Sequence, residues 1–290
     1  MIRVGTRASR LALAQTNWVV AALQRLNPDL VFEIVPLKTA GDVDRSTPLP
    51  QMGGRGVFVA EVERALLAGE VDVAVHSLKD LPVDGTEGLV IAAVPVREDP
   101  RDALITRDGH DVASLPKGAR VGTGSPRREA QLAAARPDLV FAPIRGNVET
   151  RAAKVVDGTF DATVLAVAGI SRSGIRVEAR PIPLSVMLPA PGQAALAVQC
   201  RAGDTELAAV IATIDDPDTR RAVTEERKLL SLLRGGCHAP LGCLCACKRG
   251  AWTLEAAVAR EPGAPLRRAA VSAGQPEGLA ERAFELLEPV

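Results

Sequence analysis

Residues 71–82 read VDVAVHSLKDLP and change character halfway along. Val71, Val73, Ala74 and Val75 form a short β-branched run, which predicts a strand buried in an α/β sheet, and Pro82 closes the segment. After the run come His76, Ser77, Lys79 and Asp80. Open α/β sheets place ligand sites at the carboxyl ends of their strands, so four polar groups there suggest chemistry, with Asp80 the candidate carboxylate. The plainer alternative is a strand end whose polar residues only cap the next turn.

The flanking sequence builds the same kind of sheet. Ile2–Thr6 predicts a strand, Ser9 a cap for a helix over 10–26, Asn27-Pro28 its stop, and 30–38 the next strand of a βαβ unit. Arg7, at a strand end beside a helix N-terminus, is placed for an anion, with a solvated loop arginine as the alternative. Residues 40–56 are rich in Gly and Pro and exceed the roughly 12 to 15 residues usual for a connection, which makes them a candidate lid. Phe58, Val62, Ala65 and Leu66 share one helical face, Gly69 ends that helix, and 89–94 predicts another strand.

A second α/β unit starts near Asp102. A strand over 120–122 leads into Gly122-Thr123-Gly124-Ser125-Pro126-Arg127-Arg128, with Ser125 placed to cap a helix and Pro126 in its first turn. A strand over 139–144 leads into Arg145-Gly146-Asn147 and a helix carrying Arg151; a strand over 161–167 leads into Ala168–Arg172. Arg127, Arg128, Arg145, Arg151 and Arg172 thus sit just past strand ends or on first helical turns. The guanidinium suits bidentate carboxylate binding, so the expected ligand is a polycarboxylate. The charge agrees: the chain as a whole has net charge zero, but residues 101–180 hold 13 Lys and Arg against 9 Asp and Glu, net +4. The overall balance argues against a general nucleic-acid binder.

Residues 181–192, with four prolines and a Gly, read as a linker, after which 195–199 is a strand and 205–214 a helix. An amphipathic helix over 218–233 is stopped by Gly235-Gly236, and short strands over 241–247, 253–259 and 266–271 with a helix near 277–287 make a small α+β end. With 47% hydrophobic and 2% aromatic residues the cores must be built from Ala, Val, Leu and Ile. No apolar run is long enough to span a bilayer and the N-terminus has no signal-peptide pattern, so a cytoplasmic location with reduced thiols is expected. Cys237 follows two glycines, which gives its thiol conformational freedom. Cys243, Cys245 and Cys247 alternate along a strand; three small core residues fit that spacing better than a zinc site with His238, and no metal is expected.

Six segments in register, Thr6–Ser9, Val75–Pro82, Gly122–Arg128, Arg145–Arg151, Leu188–Gln193 and Gly235–Cys237, resemble the hydroxymethylbilane synthase (porphobilinogen deaminase) family essentially end to end. The resemblance implies two periplasmic-binding-protein-like α/β domains, 1–98 with 195–215 and 99–194, plus a small α+β C-terminal domain, 216–290. It implies a transferase of porphyrin biosynthesis acting on porphobilinogen, cytoplasmic and monomeric, with no nucleic-acid or membrane partner. Cys237 corresponds to the residue that carries a covalent dipyrromethane, and Asp80 to the catalytic aspartate. Ser77, Lys79, Asp80, Thr123, Ser125, Arg127, Arg128, Arg145 and Gly146 match cofactor-binding positions. Arg7, Ser9, Phe58, Arg145, Arg151 and Arg172 match substrate-binding ones, and Arg55 and Phe58 the mobile-loop region.

The implied reaction suits these residues. Porphobilinogen loses ammonia to give an electrophile attacked by the free α-carbon of the terminal pyrrole, and Asp80 can stabilise positive charge on pyrrole nitrogen. Departures are Ala60 where many members have Lys, Gly124 where Ser is usual, Pro126 where Leu is common, and Ala194 where Gly usually follows the Gln. They bear on single hydrogen bonds and loop flexibility. Two rivals account for fewer residues: a non-catalytic small-anion binding module uses the arginines without Asp80 or Cys237, and a metal or redox protein uses the cysteines without the arginines.

Overall fold

The computed structural model describes residues 1–37, 59–233, 240–259 and 264–288. The chain divides into two compact units, 1–98 with 195–220 and 99–194 with 221–290. The first unit opens with β1 (Ile2–Arg7), α1 (Arg10–Leu26) and β2 (Phe32–Leu37), then α2 (Ala60–Leu67), β3 (Val73–Ser77), a 3-10 turn (Leu78–Asp80) and β4 (Leu89–Ala93). The second contains β5 (Asp102–Thr106), β6 (Arg120–Gly122), α3 (Pro126–Ala135), β7 (Val140–Ala142), α4 (Val148–Val156), β8 (Ala162–Ala166), α5 (Val167–Ser173) and β9 (Ala179–Pro181). The chain then returns to the first unit for β10 (Leu196–Arg201) and α6 (Thr205–Ala212). After α7 (Pro217–Leu232) come β11 (Leu241–Lys248), β12 (Ala251–Val258), β13 (Arg267–Ala273) and α8 (Leu279–Leu287).

The first sheet has the order β2-β1-β3-β10-β4 and the second β7-β6-β8-β5-β9. In the first, β1 pairs in parallel with β2 and β3, while β10 runs antiparallel to β3 and β4. In the second, β6 pairs in parallel with β7 and β8, while β5 runs antiparallel to β8 and β9. The two sheets repeat one plan, three parallel strands followed by an antiparallel one and an edge. β11, β12 and β13 form a separate antiparallel sheet.

Burial explains why these segments are strands. On one side of the first sheet Val73, Val75 and Val198 meet Val19 and Leu23 of α1 and Ile211 of α6. On the other, Ala74 meets Val62, Ala65 and Leu66 of α2. A strand covered on both faces reads as a continuous apolar run, which is the pattern that predicted β3. Ser9 caps α1, its Oγ accepting from Ala12 N at 3.3 Å, and Gly69 closes α2 with φ of +71°.

Three expectations need correction. Strand β3 continues through His76 and Ser77, so only Lys79 and Asp80 lie past its end, on the 3-10 turn. Residues 181–192 are not a loose linker: Pro181 belongs to β9, and Ile182, Met187 and Leu188 are buried in the second unit. Ser125 stands at the N-cap of α3 but makes no side-chain cap hydrogen bond; its N–H instead donates to Thr123 Oγ1 at 3.1 Å. The predicted lid over 40–56 lies outside the described residues.

Candidate active site

Within the first unit, the carboxyl end of β3 opens into a cleft lined by Arg7, Ser9, Gln15, His76, Ser77 and Asp80, among others. Arg7 ends β1, Ser9 caps α1, and Asp80 ends the 3-10 turn. Alternation along β3 sends its side chains to opposite faces. Ser77 points to the α1 side, where Gln15 Nε2 donates to its Oγ at 2.9 Å. His76 is buried against the opposite side, near Gln199 of β10, whose Nε2 donates to Glu63 Oε1 at 3.1 Å; Glu63 Oε2 accepts from Thr86 Oγ1 at 2.8 Å. Burial pulls the His76 imidazole down to about 4, partly offset by the Gln199 side chain. His76 Nε2 and Gln199 Oε1 are both buried and make no hydrogen bond of standard geometry. The imidazole is therefore neutral near pH 7, and Asp80, exposed at the end of its turn, is the carboxylate of this cleft.

The second unit gathers the arginines. Arg127 and Arg128, in the first turn of α3, are 4% and 7% exposed, and both pair with Asp102, which is fully buried. Burial alone would raise the Asp102 pKa, but the two guanidiniums hold it well below the usual carboxylate range. The first expectation for these side chains, open carboxylate receptors, is thus modified by an internal carboxylate. Arg151 on α4 is half-buried and its Nε donates to Gly146 O at 2.8 Å. Burial, then the like charges of Arg128 and Arg145, pull its pKa down to about 10. A guanidinium pressed in this way would gain from a carboxylate brought by a ligand. Gly146, with φ of +112°, has no room for a Cβ, which would meet the Thr150 side chain at 2.6 Å. Asn147 caps α4, its side chain accepting from Thr150 N at 2.8 Å.

Arg172 is in the last turn of α5, not at its start, because Val167 begins the helix directly after β8. Its Nη2 donates at 2.9 Å to the carbonyl of Ala194, a residue held at φ of +72°. Thr123 is buried and holds the turn before α3, whereas Lys79 is half-buried beside Asp80. Arg55, Phe58, Cys237 and His238 lie outside the described residues. Of the strand cysteines, Cys243 and Cys245 are buried core residues but Cys247 is exposed, so only two of the three fit the expected role. Among the described residues no group of three or more His, Cys, Asp and Glu side chains is placed to hold a metal ion.

Sequence reasoning missed Gln15, Asp102 and Gln193, and left His76 without a role. Gln15 had a signal: it lies on the buried stripe of α1 with Val19 and Leu23, at intervals of four residues, where a polar side chain calls for a partner. Asp102 had none, since its partners are 25 and 26 residues away in sequence.

The family profile described as "Porphobilinogen deaminase, dipyromethane cofactor binding domain" matches residues 2–209. A porphobilinogen deaminase of Desulforudis audaxviator is 49% identical over 290 residues, covering 98% of this chain and 94% of that protein. Porphobilinogen deaminase 1 of Streptomyces coelicolor is 53% identical over 249 residues, 84% of this chain and 77% of that one. Among solved structures, an ancestral cationic amino acid solute binding protein is 18% identical with a TM-score of 0.47, covering 73% of this chain and 86% of that one. So low a score adds nothing to the topology read from the strands themselves.

Proposed function

The chain belongs to the porphobilinogen deaminase family, and from that premise we propose that it condenses four porphobilinogen molecules, with loss of ammonia, into the linear tetrapyrrole hydroxymethylbilane. The observation that carries the reading furthest is the pressure on Arg151 from burial and two like charges, which suits a ligand bearing several carboxylates. Dipyrromethane, with acetate and propionate on each ring, fits such a setting. When bound through Cys237 it supplies the pyrrole carbon to which the first substrate is joined.

The chain's own residues supply binding and charge. Arg7, Ser9, Phe58, Arg145, Arg151 and Arg172 are assigned to the substrate, the arginines to its carboxylates, and Ser77, Lys79, Thr123, Ser125, Arg127, Arg128, Arg145 and Gly146 to the cofactor. Asp80 stabilises the cationic pyrrole nitrogen that develops as each carbon–carbon bond forms, and it can take up the proton that the attacking carbon loses and pass it to the departing ammonia. We divide the chain into three domains, the last (216–290) being the small α+β end that carries Cys237. We also assign it to the cytoplasm as a monomer without nucleic-acid partners; among the described residues no helix is long and apolar enough to cross a membrane.

Two measurements test this reading. Intact mass under denaturing conditions should exceed the sequence mass by a covalent dipyrromethane, and Cys237→Ala should abolish the excess. Asp80→Asn, nearly isosteric, should keep substrate binding and lower turnover by roughly a hundredfold to a thousandfold, the range for one oriented electrostatic contact. Turnover within about a factor of two of wild type would remove Asp80 from the mechanism.

A further inference from the structure

Asp102, the first residue of β5, carries a buried charge that none of the binding roles assigned above uses. Its Oδ2 accepts from Arg127 Nη1 at 2.7 Å. Its Oδ1 accepts from Arg128 Nη2 at 2.8 Å, Arg128 Nε at 3.2 Å and Gln193 Nε2 at 3.1 Å. The same three side chains are also tied to backbone: Arg127 Nη1 to Leu188 O at 2.7 Å, Arg128 Nη1 to Val164 O at 2.9 Å and Gln193 Nε2 to Pro100 O at 2.8 Å. Every partner belongs to the second unit.

Two adjacent buried guanidiniums repel each other, and one carboxylate between them offsets a single charge, so the set keeps a net charge of +1. Such a buried ion set is a poor way to gain stability, since apolar residues of similar volume often do as well or better. It is a good way to fix geometry, because each guanidinium is planar and is held at two points. The geometry points to Asp102 as a positioning residue that orients the Arg127 and Arg128 guanidiniums before a polycarboxylate ligand arrives. The ligand then meets cations that are already desolvated and oriented, which lowers the ordering that binding requires. Gln193 serves the same end by donating to Oδ1, the oxygen of the carboxylate that Arg128 also holds. This inference rests on the assignment of Arg127 and Arg128 to ligand carboxylates under the proposed function.

The test uses the full chain carrying Cys237→Ser, so that no covalent group occupies the arginines, and calorimetric titration with tricarballylate, an unreactive tricarboxylate. The parent should bind, and both Asp102→Asn and Asp102→Glu should weaken binding by about tenfold or more, the scale of a lost charge-assisted hydrogen bond. Asp102→Glu separates position from charge: it keeps the carboxylate but moves it by a methylene, so binding within about twofold of the parent would overturn the inference. So would failure of the parent to bind, or an Asp102→Asn variant that binds normally. If Asp102→Asn is not recovered folded, Gln193→Met decides, since it alters neither charge: weakening by about threefold or more at an unchanged melting temperature supports positioning, and less overturns it. Ammonia release from porphobilinogen by the wild type is measured alongside; its absence would sink the proposed reaction while leaving the titration to decide on Asp102.

Discussion

At the level of single residues, the side chains proposed to act past strand ends are easier to find in the sequence than those that hold them. Arg127, Arg128 and Asp80 are visible as residues that follow strands, whereas Asp102 and Gln193 come from other segments: Asp102 meets the arginines, and Gln193 meets Asp102, only once the second unit has folded. His76 is a case between the two, visible in the motif but with no sequence signal that it is buried. Its folded pKa, about 4, lies below the unfolded value of 6.5. Between those values the unfolded chain binds more protons, so stability is retained above pH 6.5 and is lost as pH falls toward 4. At about 1.4 kcal/mol per pKa unit the loss is roughly 3 kcal/mol. Urea unfolding at a series of pH values should show that slope in the wild type, and His76→Gln should flatten it by about one proton.

At the level of elements, most strands and helices could be read from periodicity, and the misreadings have physical causes. The prolines of residues 181–192 suggested a linker, but a proline-rich segment can still bury Ile182, Met187 and Leu188, and tertiary packing decides. Ala194 adopts a left-handed conformation, where a Cβ crowds the backbone; this gives a reason for the glycine that the family resemblance leads one to expect there and none for the alanine this chain carries. Ala194→Gly should stabilise the protein by about 0.5 to 1 kcal/mol, the relief of strain exceeding the added freedom of the unfolded chain. An unchanged or lower urea midpoint would show that Ala194 is not strained.

At the level of the whole molecule, the α/β character is legible in the strand and helix patterns, whereas the return of the chain to its first sheet follows only from the family resemblance, because a buried-strand pattern after residue 194 does not say which sheet it joins. What could not be read was how the C-terminal strands are joined to the rest of their unit. Glu226 of α7, fully buried, accepts from Gly192 N at 2.7 Å and from Cys245 N at 2.9 Å, fastening the 182–194 segment to β11. Glu226→Gln would turn a donor toward one of those N–H groups, so it should destabilise the protein by about 2 kcal/mol, the scale of a buried unsatisfied group. A melting temperature within experimental error of wild type would contradict that role.

The interior place of β10, between β3 and β4, sets an order of manufacture. A chain growing on the ribosome makes β1 to β4 first, yet those strands cannot close into one sheet until residues 196–201 emerge. By then β5 to β9 have all been made and need nothing later to complete their own sheet. Of the two five-stranded sheets, the one begun first is therefore the one completed last, and its unpaired β3 and β4 edges must wait, exposed to wrong partners, for the whole of the intervening sheet to be translated.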